Sequence, residues 1–147
     1  MKKIIGVIGG SSVDQAAYDT AYQVGKLIAE SGAALICGGL TGVMEAACKG
    51  AKEAGGNTIG ILPGLQINDA NPYVDIPVAT GLGHSRNLII TNTAKALIAV
   101  SGKYGTLSEI AFALQSGKPV YGLGTWDIDG VIRCGSPKEA VTKALED

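Results

Sequence analysis

Charge is scarce in this chain, and the kind of charge that grips nucleic acid is scarcer still. Only 17% of its 147 residues are charged, the formal net charge is −1, and the only arginines are Arg86 and Arg133. No basic stripe forms, so nucleic acid is not an expected partner. The three cysteines, Cys37, Cys48 and Cys134, are odd in number and stand in no metal-ligand or redox spacing. They read as free thiols in a reducing cytosol, with no metal expected. No apolar run approaches the ~20 residues a membrane helix needs. Met1-Lys2-Lys3 leads straight into a strand-like segment rather than a signal peptide. The expectation is a soluble cytoplasmic protein that touches no membrane.

What the chain has in quantity is apolar residues, at 46%, and glycine, 22 in all. Its length fits one domain over residues 1–147. A chain of this size buries about two-thirds of its unfolded surface and needs neither disulfide nor metal to fold. High apolar content with little charge suggests strands covered on both faces.

Short β-branched runs alternate with longer alanine-rich stretches of helical period, the βαβ pattern of a parallel sheet. Strands are expected over 3–8, 34–37, 57–62, 75–79, 96–100 and 118–122, with a short edge piece at Val131-Ile132. Helices are expected over 14–30, 43–53, from Gly81-Leu82-Gly83 to Thr93, over 107–115, and from Pro137 behind a Ser136 cap. Gly32 is placed to stop the first helix. The fold class this implies is α/β: a three-layer Rossmann-like fold with a mainly parallel sheet and helices on both faces.

Three strands end in a glycine-rich turn that opens a helix: Gly9-Gly10-Ser11-Ser12, Gly38-Gly39-Leu40-Thr41-Gly42, and Ser101-Gly102-Lys103-Tyr104-Gly105-Thr106. In a parallel sheet such turns share the carboxyl edge, where open α/β domains bind ligands. Glycine lets backbone approach a ligand, and the free N–H groups of a helix's first turn favour an anion. One such turn is often only geometry, and the first lacks dinucleotide GxGxxG spacing. Three on one edge point to a ligand site.

Thr106 and Glu109 have the T-x-x-E spacing of a capping box, the favoured reading for that pair, although a carboxylate held at a helix start is also fixed for chemistry. Arg86, in Gly83-His84-Ser85-Arg86-Asn87, follows a glycine turn and is read as the partner of a phosphate or carboxylate. His84, the only histidine, is read as structural or binding because no triad partner accompanies it. Trp126 is read as packing against the core.

At these residues the chain resembles the LOG-like (SLOG) superfamily, often labelled "possible lysine decarboxylase", and within it the molybdenum cofactor carrier protein-like branch. Gly38 to Glu45 is similar to the superfamily's GGxxGxM segment, Gly105-Thr106-Leu107-Ser108-Glu109 to the end of PGGxGTxxE, and His84-Ser85-Arg86-Asn87 to HxRK. The likeness to the LOG enzymes implies cleavage of the N-glycosidic bond of a nucleoside 5′-monophosphate such as AMP. The glycine loop would hold the phosphate, Arg86 would orient the nucleotide, and Glu109 would stabilise the cationic sugar or activate water. Two departures break that signature: Ser101-Gly102-Lys103 stands for Pro-Gly-Gly, and Asn87 for the lysine after arginine. The segments Gly60-Ile61-Leu62-Pro63, Asp69 to Tyr73 and Gly81 to Asn87 look like the carrier branch. That likeness implies binding of the molybdenum cofactor, a pterin bearing a phosphate, by a homo-oligomer (dimer or tetramer). The helices after the second and third glycine turns are the expected dimer surfaces. Nothing suggests the lysine Schiff base and acidic partner that a pyridoxal-phosphate decarboxylase needs.

Turns and motifs together name Gly9, Gly10, Ser11, Gly38, Gly39, Gly42, Met44, Arg86, Asn87, Gly102, Lys103, Tyr104, Gly105, Thr106 and Glu109 as ligand- or phosphate-binding. Arg86 and Glu109 are catalytic only if the chain is a hydrolase. The reading is a carrier of a phosphorylated nucleotide- or pterin-like ligand with no required cofactor. The alternatives are a phosphoribohydrolase and an oligomer whose site is vestigial.

Overall fold

In a computed structural model that describes residues 1–146, the β-branched runs form parallel strands. They are β1 (Ile4–Gly9), β2 (Ala34–Cys37), β3 (Thr58–Leu62), β4 (Ile76–Ala79), β5 (Ala96–Val100), β6 (Val120–Leu123) and β7 (Val131–Arg133). The helices between them are α1 (Gln15–Glu30), α2 (Val43–Glu53), α3 (Asn87–Thr93), α4 (Tyr104–Gln115) and α5 (Pro137–Glu146). All strands join one sheet in the order β4-β3-β2-β1-β5-β6-β7. Every pairing is parallel. This is the expected three-layer Rossmann-like fold. No helix among the described residues is long and apolar enough to cross a membrane.

Strand order fixes where a ligand can go. The chain steps outward from β1 to β4, then returns to lay β5 on the other side of β1. The turns after β1 and β5 therefore diverge, leaving a crevice at the carboxyl edge between them. Alternation along each strand divides the core in two. Ile5 and Val7 pack with α1, α2 and α5, whereas Ile8, Leu97 and Ala99 pack with α3 and α4.

Local signals set the helix ends. The Ala17 N–H donates to Asp14 Oδ1 at 2.9 Å and caps α1, which stops at Ser31 with Gly32 at φ +86°. Ser136 caps α5 as expected, its Oγ accepting from the Glu139 N–H at 3.1 Å. The helix expected from Gly81 begins instead as a 3₁₀ turn, Gly83–Arg86, that runs into α3. The expected strand over 118–122 is set two residues later, because the Lys118 N–H donates to the Ala113 carbonyl at the end of α4 at 2.9 Å and Pro119 has no N–H to give the sheet.

The two faces are unequally covered. Helix α3 has only seven residues, and beside it Ile76 and Val78 of β4 stay exposed. Those two pair in register with Ile59 and Ile61, which belong to the second core. Leu88 of α3 and Phe112 of α4 are also exposed, at 40% and 43%. Helix α2, the other expected dimer surface, offers no such face. Its apolar side is buried against the sheet and α1, and charged Glu45, Lys49, Lys52 and Glu53 point outward.

Helices α1 and α2 touch backbone to backbone. A Cβ on Gly25 would overlap the Ala47 carbonyl, and one on Gly50 the Tyr22 carbonyl. Gly25→Ala should therefore cost about 3 kcal/mol through overpacking. A thermal melt should show the midpoint falling by about 10 °C. An unchanged midpoint would contradict this packing.

Candidate functional site

The carboxyl edge of the sheet is a place where turns press on one another. The Val43 N–H, first in α2, donates to the Gly10 carbonyl at 3.0 Å, and the Thr41 hydroxyl donates to the Ser11 carbonyl at 2.8 Å. Gly42, at φ +67°, faces Gly10 so closely that a Cβ would overlap its carbonyl oxygen. On the other flank, Gly9 lies against the Val100 carbonyl at the end of β5. The third turn carries the sole non-glycine at positive φ among the described residues, Ser101 at +54°, followed by Gly102 at +101°.

Between these turns opens a cavity of about 460 Å³. It gathers most of the residues singled out from sequence. Gly9, Gly10 and Ser11 come from the first turn, and Gly38 and Met44 from the second turn and α2. Arg86 and Asn87 come from the start of α3, and Gly102, Lys103, Gly105, Thr106 and Glu109 from the third turn and α4. Three named residues do not line it. Gly39 packs on Leu62 and Gly60, Gly42 on Gly10, and Tyr104 is 80% exposed on the far side of the α4 start. Six lining residues stand outside that named set, His84 having been read as structural or binding: Val7, Ile8, Ser12, Leu40, His84 and Ser101. All but His84 lie in or beside the same strand-to-turn segments, so the signal was present. His84 is exposed at the rim.

Glu109 does not cap α4. The helix begins at Tyr104, three residues earlier than the T-x-x-E spacing implied, and no side chain caps it. Thr106 and Glu109 thus fall within its first two turns, at 3% and 9% exposure. Thr106 packs into the space where Gly102 lacks a side chain. The Glu109 carboxyl is left at the cavity floor, and among the described residues nothing hydrogen-bonds it. Burial pushes its pKa up to about 7, against the pull of Arg86.

Arg86 is buried rather than solvated. Its Nε donates to the Ile61 carbonyl at 2.8 Å, Nη1 to Asn87 Oδ1 at 2.7 Å, and Nη2 reaches the Gly38 carbonyl at 3.5 Å. Burial lowers its pKa, opposed by Glu109 and Cys37. Carbonyls and an amide fix the guanidinium, so its charge remains free to meet an anion in the cavity. Asn87, which replaces the motif's lysine, is what holds Nη1 in place. Cys37 lies outside the cavity, its sulfur 3.5 Å from that of Cys48, both as free thiols. No group of three metal-ligating side chains occurs among the described residues.

The buried carboxyl has a consequence for stability. Its folded pKa near 7 exceeds the unfolded value of about 4.3, so the native state holds the proton more tightly. Glu109 is therefore least unfavourable below about pH 4, and stability should fall by roughly 3 kcal/mol as pH rises to about 7. Denaturant titrations at pH 5 and 8 should show wild type losing stability relative to Glu109→Gln as pH rises. Equal pH dependence in the two proteins would contradict the buried, unpaired carboxyl.

Comparison with known proteins agrees with this fold. The profile of the SLOG cluster4 family matches residues 2–145. The fold superposes on the molybdenum cofactor binding protein of the phototrophic bacterium Rippkaea orientalis with a TM-score of 0.94 and 38% identity, over 99% of this chain and 97% of that one. It superposes on the molybdenum cofactor carrier protein of Chlamydomonas reinhardtii with a TM-score of 0.91 and 39% identity, over 100% of each chain. In sequence it is 28% identical over 137 residues to the cytokinin riboside 5′-monophosphate phosphoribohydrolase LOG of Oryza sativa subsp. japonica. That match spans 88% of this chain but only 56% of the rice protein. By profile, sequence and fold, the chain is a LOG-like Rossmann protein and belongs to the SLOG cluster4 family.

Proposed function

We propose that the chain binds and carries a phosphorylated, nucleotide- or pterin-like small molecule in the switch-point cavity, the molybdenum cofactor being one such cargo. The observation that carries this reading is the convergence of the α4 N-terminus, two glycine turns and the buried Arg86 charge on one cavity. An uncapped helix start offers free N–H groups and a favourable dipole to a phosphate. The cavity volume falls within the ~300–1,000 Å³ usual for small-ligand sites. The two molybdenum cofactor proteins that match along nearly their whole length support the choice of cargo class.

Hydrolysis of a nucleoside monophosphate is the second reading, and Glu109 is the observation that favours it. A buried carboxyl with a pKa near 7 can accept a proton from water or stabilise an oxocarbenium-like sugar. The third turn argues the other way. Ser101 holds φ +54°, which the proline of the hydrolase motif could not adopt. The carrier reading therefore stands first.

Differential scanning fluorimetry against AMP, other nucleoside monophosphates and a phosphorylated pterin should raise the melting temperature of the native protein. Base release from the same monophosphates should be absent or unaffected by Glu109→Ala. Release that Glu109→Ala abolishes would install the hydrolase reading. No stabilisation by any phosphorylated probe would remove the carrier.

The under-covered face supports a homo-oligomer, and the free thiols of Cys37, Cys48 and Cys134 fit a reducing cytoplasm. Leu88 and Phe112 flank a groove of about 430 Å³ that shares His84, Asn87 and Gly105 with the ligand cavity. Light scattering coupled to gel filtration should find wild type as a dimer or larger and the Leu88→Asp, Phe112→Asp double variant as a folded monomer. A monomeric wild type would contradict this surface.

A further inference from the structure

Trp126 and Thr125 lie in the segment joining β6 to β7, outside the cavity, and both reach back to the third turn. The Ser101 N–H donates to the Leu123 carbonyl at 3.1 Å. The Thr125 hydroxyl donates to the Ser101 carbonyl at 2.7 Å. The Trp126 Nε1–H donates to the Lys103 carbonyl at 2.8 Å. That last acceptor, on the residue just before α4, also takes the Leu107 N–H at 3.0 Å and so makes the first bond of the helix. The Trp126 ring meets that of Tyr104, the first residue of α4, at a centroid distance of 6.1 Å.

One short segment thus grips both ends of the Ser101–Lys103 turn. This turn needs gripping. Ser101 is held at φ +54°, a conformation that a residue with a side chain adopts only when its surroundings impose it. The helix that follows has no side-chain cap of its own, its cap residue Lys103 being fixed through its carbonyl instead. With both carbonyls engaged by the β6–β7 segment, the opposite side of the turn and the first N–H groups of α4 are left to the cavity.

We propose that Thr125 and Trp126 are positioning residues: they lock the third turn in the conformation that presents the α4 N-terminus to a phosphate group. This rests on the reading that the cavity holds such a group. A packing role for Trp126 requires only its ring, which lies partly buried against the second core. The indole N–H and the neighbouring hydroxyl are not needed for packing, yet both bond the same turn.

Conservative variants separate the roles. Trp126→Phe keeps an aromatic ring and removes the N–H. Thr125→Val keeps the volume and removes the hydroxyl, and Thr125→Ser restores it. Calorimetry with AMP and adenosine reads the phosphate contribution. Trp126→Phe and Thr125→Val should each weaken AMP about 3- to 10-fold, the range of one lost hydrogen bond, and change adenosine by less than about 2-fold. Thr125→Ser should bind AMP as wild type does. Equal weakening of AMP and adenosine, or no weakening of either, would overturn the proposal. Amide hydrogen exchange without ligand supplies a second readout. It should quicken over residues 101–106 in both weakened variants and stay unchanged in the first glycine turn. Should wild type bind neither probe, the ligand reading fails. The exchange result then decides the clamp alone, and unchanged exchange at 101–106 would remove it.

Discussion

At the carboxyl edge of the sheet, the backbone of the turn after β1 lies directly on the backbone of the turn after β2, with Gly42 facing the Gly10 carbonyl and no room for a side chain between them. The Val43 N–H bonds that same carbonyl, so the contact also sets where α2 begins. The turn after β5 comes from the other side of β1. It meets the first turn on the other flank, where Gly10 faces Gly102, and its helix α4 crosses the sheet face opposite α1 and α2, so the cavity opens above that contact. Site geometry follows from strand order and from glycines at contacts where a methyl group would overlap a carbonyl. The nearest polar side chains then decide what the gap can hold.

Those side chains are few, and burial makes each count. Arg86 is held by two carbonyls and the Asn87 amide, none of which cancels its charge. Glu109 is close by, desolvated, and has no bonding partner among the described residues. The site therefore combines a fixed cation with a carboxyl whose ionisation changes near neutrality. A phosphate near the α4 N-terminus and Arg86 satisfies the first, and a neutral Glu109 can donate to a ligand that an ionised one would repel.

Much of this was legible beforehand, for a physical reason. Parallel strands buried on both faces are written as continuous β-branched runs, and the glycine clusters after β1, β2 and β5 announce where backbone meets backbone. The T-x-x-E pattern misled because it carries local information only. Helix α4 starts three residues earlier, where the β6–β7 segment holds the Lys103 carbonyl, and that contact spans 23 positions in sequence. The ring of Trp126 packs against the second core as read, while its bond to Lys103 was out of reach of local pattern. The outer face of α2 is charged for another reason of the same kind: glycines on α1 and α2 let the two helices pack so tightly that the apolar side of α2 is used up. The bare β4 face could not be seen, since it depends on how far seven-residue α3 extends across the sheet.

The central claim is that a phosphorylated ligand occupies the cavity between the first and third turns, and amide chemical-shift mapping by NMR during an AMP titration tests it most directly. The account predicts saturable shifts concentrated at Gly10, Ser11, Gly102, Gly105 and Thr106, with smaller ones at Gly38 and Asn87. Shifts confined to another surface, such as the hollow around Cys134 and Ser136, or none at millimolar AMP, would contradict it.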